Sequence, residues 1–544
     1  MNLVSDPTIE RKIAKMQERM RWNHPLFQQL GIDRTQLVLN DEIEPDRGFT
    51  FCVLGDSGSG DRRGDRRGDR PQRRVAEQMM RLCMPNGGSS PSAKFILHTG
   101  DVVYLVGSSE QYPANFMRPY RELLVGGDHP EDGLRQRFKQ MGYDSMVFNR
   151  PFLPVLGNHD YYDLPIAYGV LSQLFRPLRQ AFRYYIDLDV GWHGSYQGDA
   201  YARAFLDYLQ DIPESELQQH LERHYTAQTS TGKGLNYQPG TFTRIPNRYY
   251  RFRYGGIDFF ALDSNTFNAP LPIEPGDRGE RHRQILLEDL DRFQLERDEH
   301  LQIIHNIDPN DATPMLGEQE SLHELLGKVE QIEESIRDLE KQLDPNMMYE
   351  KIDFEQLEWL ERGLVESWQD STVRGRIIYF HHPPYVTEAT KWNQGQTLAV
   401  RHYLRTVFDR VELQVKDLID NRPLVDLVLC GHAHCFEYLE TLETGHADRG
   451  IKWAICGGSG FSLRRQRVEG NILQERVGGK LQDVALSHQF LGKTGRGAYK
   501  YHAYSFLQVD VLPGKTLKFN LKPQVAEYHQ KKWRYYTSDL TVDS

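Results

Sequence analysis

The sequence predicts an α/β fold, in which buried strands alternate with amphipathic helices. Residues 49–56 and 95–100 are interpreted as two strands, because each is a short apolar run that ends at a Gly-Asp pair. The clearest helical pattern is residues 353–368, where a capping box from Asp353 to Gln356 precedes apolar residues at helical spacing. Strands in such folds place polar groups at their carboxyl ends, so functional residues are expected just beyond the apolar runs.

Composition and charge argue against several classes of protein. A chain of 544 residues is long for one domain, which predicts either one large core with insertions or two domains. The sequence has no run of about 18 apolar residues, so a membrane-spanning protein is not expected. A net charge of −10 gives no general attraction to nucleic acid, and a nucleic-acid partner is not expected either.

The N-terminus and the cysteines predict a cytoplasmic location. The first twelve residues lack the apolar stretch and the cleavage site of a secretory signal. The chain has five scattered cysteines, which form no disulfide framework and suit a reducing compartment. Cys430 and Cys435 flank a histidine motif; we interpret them as small buried side chains, with a ligand role as the alternative.

The first third of the chain predicts a helix, a strand and a charged loop. Residues 7–21 have helical spacing behind Asp6, which we interpret as an N-cap followed by a proline. Residues 61–74 carry seven arginines against three aspartates in a Gly-rich repeat, which predicts a loop, and Pro71 begins the next helix. This loop is either a solvated insertion without a role or a cationic flap that attracts phosphate or a polyanion.

The middle of the chain predicts a β-hairpin and a helical insertion. Residues 249–263 alternate between apolar and polar around a Gly-Gly pair, which is typical of a hairpin. The preceding aromatic and polar stretch, 165–245, is interpreted as helical and loop insertions. Residues 281–304 and 322–343 have helical spacing, the second with a 3-4 repeat, and predict an antiparallel helical hairpin that projects from the domain. The hairpin either packs on itself or its host, or binds a protein partner.

Polar motifs follow five of the strand patterns. They are Gly55-Asp56-Ser57-Gly58, Gly100-Asp101-Val102-Val103-Tyr104, Gly157-Asn158-His159-Asp160, His381-His382-Pro383-Pro384 and Gly431-His432-Ala433-His434. Aspartate, asparagine and neutral histidine together suit metals such as Zn, Mn and Fe. We interpret the five motifs as one site for two ions, with Asp101 shared by both, because a carboxylate has two oxygens. A water between two cations loses its proton readily and can attack a phosphorus atom.

The ordered set GDSG, GDVVY, GNHD, HHPP and GHAH resembles the calcineurin-like metallophosphoesterases, and specifically the purple acid phosphatases. The common pattern of the superfamily begins with Asp-x-His, whereas this chain has Gly58 at the histidine position. In purple acid phosphatases a tyrosine in GDxxY replaces that histidine, and this chain has Tyr104 there. The resemblance covers residues 48–265 and 352–520.

The resemblance implies a fold and a division of the chain. The fold is an α/β sandwich of two sheets flanked by helices, with the helical hairpin as an insertion. The predicted divisions are an N-terminal helical extension (1–47), the first part of the metallophosphoesterase domain (48–270), the hairpin (271–350), the second part of the domain (351–525) and a peripheral tail (526–544).

The resemblance also implies the ligands of two ions, Fe(III) and a second ion of Fe, Zn or Mn. The implied ligands are Asp56, Tyr104 and His434 for one ion, Asn158, His381 and His432 for the other, and Asp101 for both. His381 is preferred to His382, because the ligand of the family lies two residues before a proline. His159 matches the residue that contacts the phosphate and protonates the leaving group.

These features predict a metal-dependent phosphomonoesterase that acts on a phosphorylated small molecule. One alternative is a phosphodiesterase, for a cyclic nucleotide or another diester, with the same ligands. The other is a protein without enzymatic activity that acts as a scaffold through its helical hairpin.

Overall fold

The computed structural model describes residues 4–540 apart from 42, 59–70, 84–91, 128–141, 165–195, 306–315, 346–350, 421, 478–479, 497–498, 531 and 539. Its strands are β1 (Ile32–Leu39), β2 (Phe49–Leu54), β3 (Ile96–His98), β4 (Phe152–Pro154), β5 (Ala227–Gln228), β6 (Lys233–Tyr237), β7 (Tyr250–Tyr254), β8 (Ile257–Ala261), β9 (Gly375–Tyr379), β10 (Leu427–Cys430), β11 (Phe436–Thr441), β12 (Lys452–Cys456), β13 (Ile472–Val477), β14 (Lys480–Leu491), β15 (Lys493–Thr494), β16 (Tyr501–Val511), β17 (Phe519–His529) and β18 (Lys532–Thr537). Its α-helices are α1 (Ile9–Arg19), α2 (Pro25–Gln29), α3 (Pro71–Cys83), α4 (Asn158–Tyr161), α5 (Asp199–Phe205), α6 (Glu214–His224), α7 (Asp277–His305), α8 (Leu316–Leu343), α9 (Phe354–Gln369) and α10 (Gly395–Ile419).

The strands form two sheets, which confirms the predicted two-sheet α/β architecture. The larger sheet has eleven strands in the order β13-β14-β11-β12-β10-β9-β8-β7-β1-β6-β5. The smaller sheet has the order β18-β17-β16-β2-β3-β4, and β15 pairs with β16. Strands β2, β3 and β4 are parallel to one another, as are β8, β9, β10 and β12. The carboxyl ends of parallel neighbours meet at one edge of a sheet, so each sheet has one edge where strand-end residues collect.

Aromatic side chains join the two sheets. Phe51 and Phe95 of the smaller sheet stack with 5.1 Å between ring centroids. Both rings meet Phe259 of the larger sheet edge-on, at 5.6 and 5.4 Å. Each such pair contributes about 0.5–1.5 kcal/mol beyond the burial of its area. The sheets are therefore packed face to face, and the helices α9 and α10 cover the outer face of the larger sheet.

The N-terminal segment differs from the predicted helical extension. Helix α1 is present, but its N-cap is Thr8, whose side chain accepts from the backbone of Arg11, and not Asp6. The carboxylate of Asp6 instead contacts Lys12 at 2.8 Å and Lys341 at 2.5 Å. The segment also contributes β1, which pairs with β6 and β7. The sequence pattern did not predict this strand, because its first half is mostly polar and only partly buried.

Other predicted elements are found with different extents. The hairpin at 249–263 is confirmed, and Gly255 and Gly256 both have positive φ, as its tight turn requires. The stretch 199–245 holds α5 and α6 but also β5 and β6, while 165–195 lies outside the described residues. The C-terminal tail includes part of β17 and all of β18, at the edge of the smaller sheet. Among the described helices, none has the length and apolar character needed to cross a bilayer.

The charged loop lies mostly outside the described part of the chain. Pro71 begins α3, as predicted. Arg73 and Arg74, at the start of this helix, contact Glu77, and Arg73 also contacts Glu122 at 2.7 Å. Whether residues 61–74 attract phosphate or a polyanion, or form a solvated insertion without a role, stays open.

The helical insertion has the predicted antiparallel helices, but it does not project from the domain. Arg283 of α7 donates to the carbonyl of Leu343 in α8, and Glu296 contacts Lys328 at 2.8 Å, which sets the two helices antiparallel. Helix α8 lies on the body of the protein, where Asp338 accepts from the backbone N–H groups of residues 395 and 396 at the start of α10. The prediction of a projecting hairpin is wrong, because a 3-4 apolar repeat does not reveal what its polar face contacts. A protein partner for the hairpin stays a prediction.

Candidate metal centre

The structure brings all seven predicted ligand side chains together at strand ends. They are Asp56 after β2, Asp101 and Tyr104 after β3, Asn158 after β4, His381 after β9, and His432 and His434 after β10. All seven are buried. Their role as metal ligands stays a prediction, and what the structure adds is the geometry of their atoms.

Three of these residues have an unusual backbone conformation. Asp56, Asp101 and His432 have φ values of 52°, 54° and 66°, in the left-handed region that residues with a Cβ rarely adopt. Such conformations cost about 1–3 kcal/mol each and are concentrated at functional sites. They turn the chain sharply at the ends of β2, β3 and β10, and the side chains then point into one place.

The first group of atoms surrounds the hydroxyl of Tyr104. This oxygen lies 2.8 Å from Asp56 Oδ1, 2.8 Å from Asp101 Oδ2 and 3.1 Å from His434 Nε2. His434 donates its other ring nitrogen, Nδ1, to the carbonyl of Ser462, so Nε2 carries a lone pair in the neutral ring. Three acceptor atoms therefore face one hydroxyl proton.

The second group surrounds the side-chain oxygen of Asn158. Asn158 Oδ1 lies 2.9 Å from His381 Nε2 and 3.1 Å from His432 Nδ1. His381 Nδ1 lies 2.8 Å from the carbonyl of Thr99, and His432 Nε2 lies 3.0 Å from both Glu334 Oε1 and Lys391 Nζ. Two ring nitrogens and an amide oxygen thus converge, and all three are atoms that a metal ion can bind once the rings are neutral.

Asp101 belongs to both groups. Its Oδ2 lies 2.8 Å from the Tyr104 hydroxyl and 3.4 Å from His381 Nε2. The other oxygen, Oδ1, accepts from the backbone N–H of His159 at 2.9 Å. The carboxylate is the common element of the two groups, which is the position that a bridging ligand needs.

The electrostatics of the site are those of a buried excess of acid groups. Burial is the main cause that raises the pKa of Asp56 to about 7 and that of Asp160 to about 8, and the charge of Asp101 adds to both. Burial lowers the pKa of His381, but the charge and hydrogen bond of Asp101 outweigh it and raise this pKa to about 9. Burial lowers the pKa of His434 to about 3, so its ring is neutral. Metal ligands must be deprotonated, so an ion bound here would displace the proton that Asp101 holds on His381.

Asp160 and Gly157 hold the loop of Asp101 in place. The carboxylate of Asp160 accepts from the backbone N–H groups of Gly157, Asp101 and Val102 at 2.9, 3.0 and 3.2 Å. A Cβ on residue 157 would lie 2.1 Å from Asp101 Oδ1, so only glycine fits. The side chain of Asp160 thus clamps the backbone of Asp101.

The exchange between Gly58 and Tyr104 has a steric basis. A Cβ on residue 58 would lie 2.9 Å from Val103 Cα and 3.0 Å from Tyr104 Cδ2. Tyr104 is fixed on its other side by Phe461, which stacks on it at 3.9 Å between centroids. A histidine at position 58 and a tyrosine at position 104 would therefore compete for the same space.

The two remaining histidines of the motifs lie beside the ligand groups. His159 Nδ1 donates to the carbonyl of Leu105 at 2.6 Å, and its ring lies 4.3 Å from that of Tyr104. His382 is held by Ser264 at Nδ1, at 2.8 Å, and by Asn268 at Nε2, at 3.3 Å. His381 lies 3.4 Å from Asp101 Oδ2, whereas both ring nitrogens of His382 contact other residues, and the preference for His381 stays a prediction.

Sequence reasoning missed four charged residues at this site. They are Glu330 and Glu334 of α8, Lys391 before α10, and Arg464 after β12. Nothing in their local patterns marks them, because the two glutamates resemble the solvated charges of any amphipathic helix.

The donor set fits two metal ions. Each group has at least one ring nitrogen and at least one oxygen, and the carboxylate of Asp101 is common to both. In the described part of the chain, two sets of three side chains have ligand atoms within 4.8 Å of one another, namely Asp56, Asp101 and His381, and His381, His382 and His432.

Comparisons with known proteins give matches among solved structures alone. No family model and no curated protein matches the chain. Purple acid phosphatase PPD1 from yellow lupin (Lupinus luteus) seeds matches at 12% identity and a TM-score of 0.38, over 92% of this chain and 55% of that one. GAP50, the anchor in the inner membrane complex of Plasmodium, matches at 13% identity and a TM-score of 0.37, over 92% of this chain and 90% of that one. PhoD matches at 11% identity and a TM-score of 0.35, over 92% of this chain and 70% of that one. This chain spans about half the length of the lupin enzyme, and function must be inferred from the geometry of the site.

Proposed function

We propose that the protein is a dinuclear-metal phosphoester hydrolase and that its substrate is a phosphorylated small molecule. The observation that carries this proposal is the convergence of seven buried side chains with oxygen or nitrogen ligand atoms on two groups that share Asp101. Carboxylate, amide and imidazole groups together suit metals such as Zn, Mn and Fe, which favours cations between them.

The two groups would provide two ion positions. Asp56, Tyr104 and His434 would hold one ion, Asn158, His381 and His432 the other, and Asp101 both. Bound ions would act as Lewis acids on the phosphoryl oxygens and would lower the pKa of a water between them.

The side chains of this protein would orient the substrate and supply a proton. His159 is fixed through Nδ1 by the carbonyl of Leu105, so its Nε2 is the atom that remains to donate a proton to the leaving oxygen. Asp160 keeps Asp101 in position through three backbone hydrogen bonds. The burial of the ligands keeps bulk water away and strengthens every charge interaction inside the site.

Hydrolysis of aryl phosphates tests the proposed reaction. The metal-reconstituted protein should hydrolyse a mono-aryl phosphate at least about tenfold faster than a bis-aryl phosphate, and a chelator should abolish both reactions until metal is restored. The reverse preference would indicate the phosphodiesterase alternative. A protein that binds two ions and hydrolyses neither compound would contradict the proposal.

The identity of the first ion is proposed to be Fe(III), because the phenolate of Tyr104 is a hard, anionic oxygen ligand. Tyrosinate bound to Fe(III) absorbs visible light, so the iron-loaded protein should be coloured and Tyr104→Phe should lose the band. Tyr161→Phe is the matched control, since the buried hydroxyl of Tyr161 donates to Asp263 at 2.7 Å outside the ligand groups. An absorption spectrum decides the question, and an iron-loaded but colourless wild type would refute the role of Tyr104.

A further inference from the structure

Helix α8 places two glutamates on the candidate metal centre. Glu330 and Glu334 are four residues apart and therefore lie on the same face of the helix. Their side chains are 11% and 9% exposed. This face contacts the site from outside the part of the chain that supplies the ligands, because α8 belongs to the helical insertion.

Glu334 pairs with a buried cation beside His432. Its Oε1 contacts Lys391 Nζ and lies 3.0 Å from His432 Nε2. Lys391 Nζ itself lies 3.0 Å from the same ring nitrogen, and its side chain is 4% exposed. A lysine charge thus lies next to one of the predicted ligands of the second ion.

Glu330 pairs with a second buried cation, on the side of His434. Arg464 donates to Glu330 Oε2 at 2.6 Å, and Glu330 Oε1 lies 3.6 Å from His159 Nε2. The backbone N–H of Arg464 donates to the carbonyl of His434 at 2.9 Å, which fixes the cation beside that ligand. The carboxylate of Glu330 thus lies between Arg464 and the histidine proposed to meet the phosphate.

The arrangement on the two sides is the same. A cation of the catalytic domain lies beside a predicted metal ligand, and a carboxylate from the insertion neutralises it. Burying a cation is costly unless an anion pairs with it, so these two cations need negative partners in the closed protein. A phosphoester carries several negative oxygens, which form strong charge-assisted hydrogen bonds with arginine and lysine. A carboxylate offers two oxygens to the same donors and can take their place.

We infer that Arg464 and Lys391 bind the anionic oxygens of the substrate, and that α8 is a lid over the site. In the closed protein, Glu330 and Glu334 of the lid pair with these two cations until the substrate displaces the helix. The inference rests on the proposed function. It explains why the ligands are all buried, although a substrate must reach them. The lid is attached to the domain by polar contacts that can break and re-form, such as those of Asp338 with the start of α10.

A disulfide that locks the lid tests the inference. A Cβ on residue 327 would lie 3.1 Å from Ser462 Cβ, slightly closer than the ~3.5–4.5 Å usual in disulfides, so Gly327→Cys with Ser462→Cys should crosslink α8 to the loop of Arg464. In the crosslinked protein we expect aryl phosphate hydrolysis and metal removal by a chelator to slow at least about tenfold, and reductant to restore both. The two single-cysteine variants are the controls.

The two readings of this experiment separate the lid from the reaction. If the fully crosslinked protein hydrolyses the aryl phosphate and releases metal as fast as the same protein after treatment with reductant, the lid is ruled out. Protein that hydrolyses no phosphoester but releases metal at least about tenfold more slowly when crosslinked would overturn the proposed reaction and support the lid.

Inorganic phosphate tests the anion site directly. In the metal-loaded protein, Glu330→Gln with Glu334→Gln should tighten phosphate binding at least about tenfold in calorimetry, because two competing negative charges are removed while their hydrogen-bonding shape is kept. Adding Lys391→Gln and Arg464→Gln should cancel this gain. Glu340→Gln, on the exposed face of α8, is the matched control and should leave phosphate affinity unchanged. Equal phosphate affinity in the wild type and the double glutamine variant would overturn the inference.

Discussion

Replacing Asp101 with asparagine is expected to empty both ion positions and to reduce hydrolysis by about a thousandfold or more, which corresponds to about 4 kcal/mol in the activation barrier. The carboxylate touches both groups of donors through Oδ2, at 2.8 Å from Tyr104 and 3.4 Å from His381. An asparagine of the same shape keeps one oxygen but loses the negative charge, and its NH₂ group would point a donor at a cation. Metal content and kcat/KM of the purified variant measure the effect.

A matched control separates this result from the loss of any buried aspartate. Asp258 is buried near the start of β8, where it pairs with Arg253 at 2.6 Å, close to the turn that opens the strand. Asp258→Asn should lower stability but keep both ions and most of the activity. Tight retention of two ions by Asp101→Asn would count decisively against the bridge.

Adding a single methyl group at Gly157 is expected to have an effect almost as large. The new Cβ would lie 2.1 Å from Asp101 Oδ1 and 2.2 Å from the Asp101 backbone nitrogen, far inside the ~3.5–4.0 Å of a normal contact. The loop of Asp101 must therefore move by about 1 Å, and a displacement of this size can reduce catalysis about a hundredfold. We expect Gly157→Ala to lose about that much activity and to bind metal weakly, as titration with the ion would measure.

Gly363 offers the control for the second prediction. A Cβ on this residue of α9 would lie 2.8 Å from a ring atom of Phe260, which is also too close, but on the outer face of the larger sheet. Gly363→Ala should cost about 1–3 kcal/mol of stability by overpacking and should keep both ions. If Gly157→Ala binds metal as tightly as Gly363→Ala does, the tight fit at Asp101 has no functional role.

The positions of the predicted ligands could be inferred from sequence because each motif contains its own strand end. The apolar run before Asp101 has the length and composition of a buried strand, and Gly100 at the end of this run marks the turn. The pairing of Gly58 with Tyr104 was implied by the family resemblance of the motifs, in which a tyrosine replaces the missing histidine. The structure adds the steric reason, which is a Cβ 3.0 Å from the tyrosine ring.

What the sequence could not predict depends on contacts between distant segments. Strand β1 was not predicted, because its first half carries charged and polar residues. It is part of the sheet because it pairs with β6 and β7, which are distant in the chain. The acids Glu330 and Glu334 sit within an apolar 3-4 repeat, where such charges are usually solvated. Their partners Lys391 and Arg464 are 57 and 134 residues away in the chain, and no local pattern connects them. The side chains that meet at the candidate site were thus predictable, but the glutamates of α8 that contact them were not.

Anomalous diffraction from crystals loaded with metal tests the central claim most directly. We expect two peaks about 3.5–4 Å apart, each about 2.0–2.2 Å from an oxygen of Asp101. One peak should lie among the side-chain atoms of Asp56, Tyr104 and His434, and the other among those of Asn158, His381 and His432. A single peak at full occupancy, or two peaks of which one is out of reach of Asp101, would contradict the account.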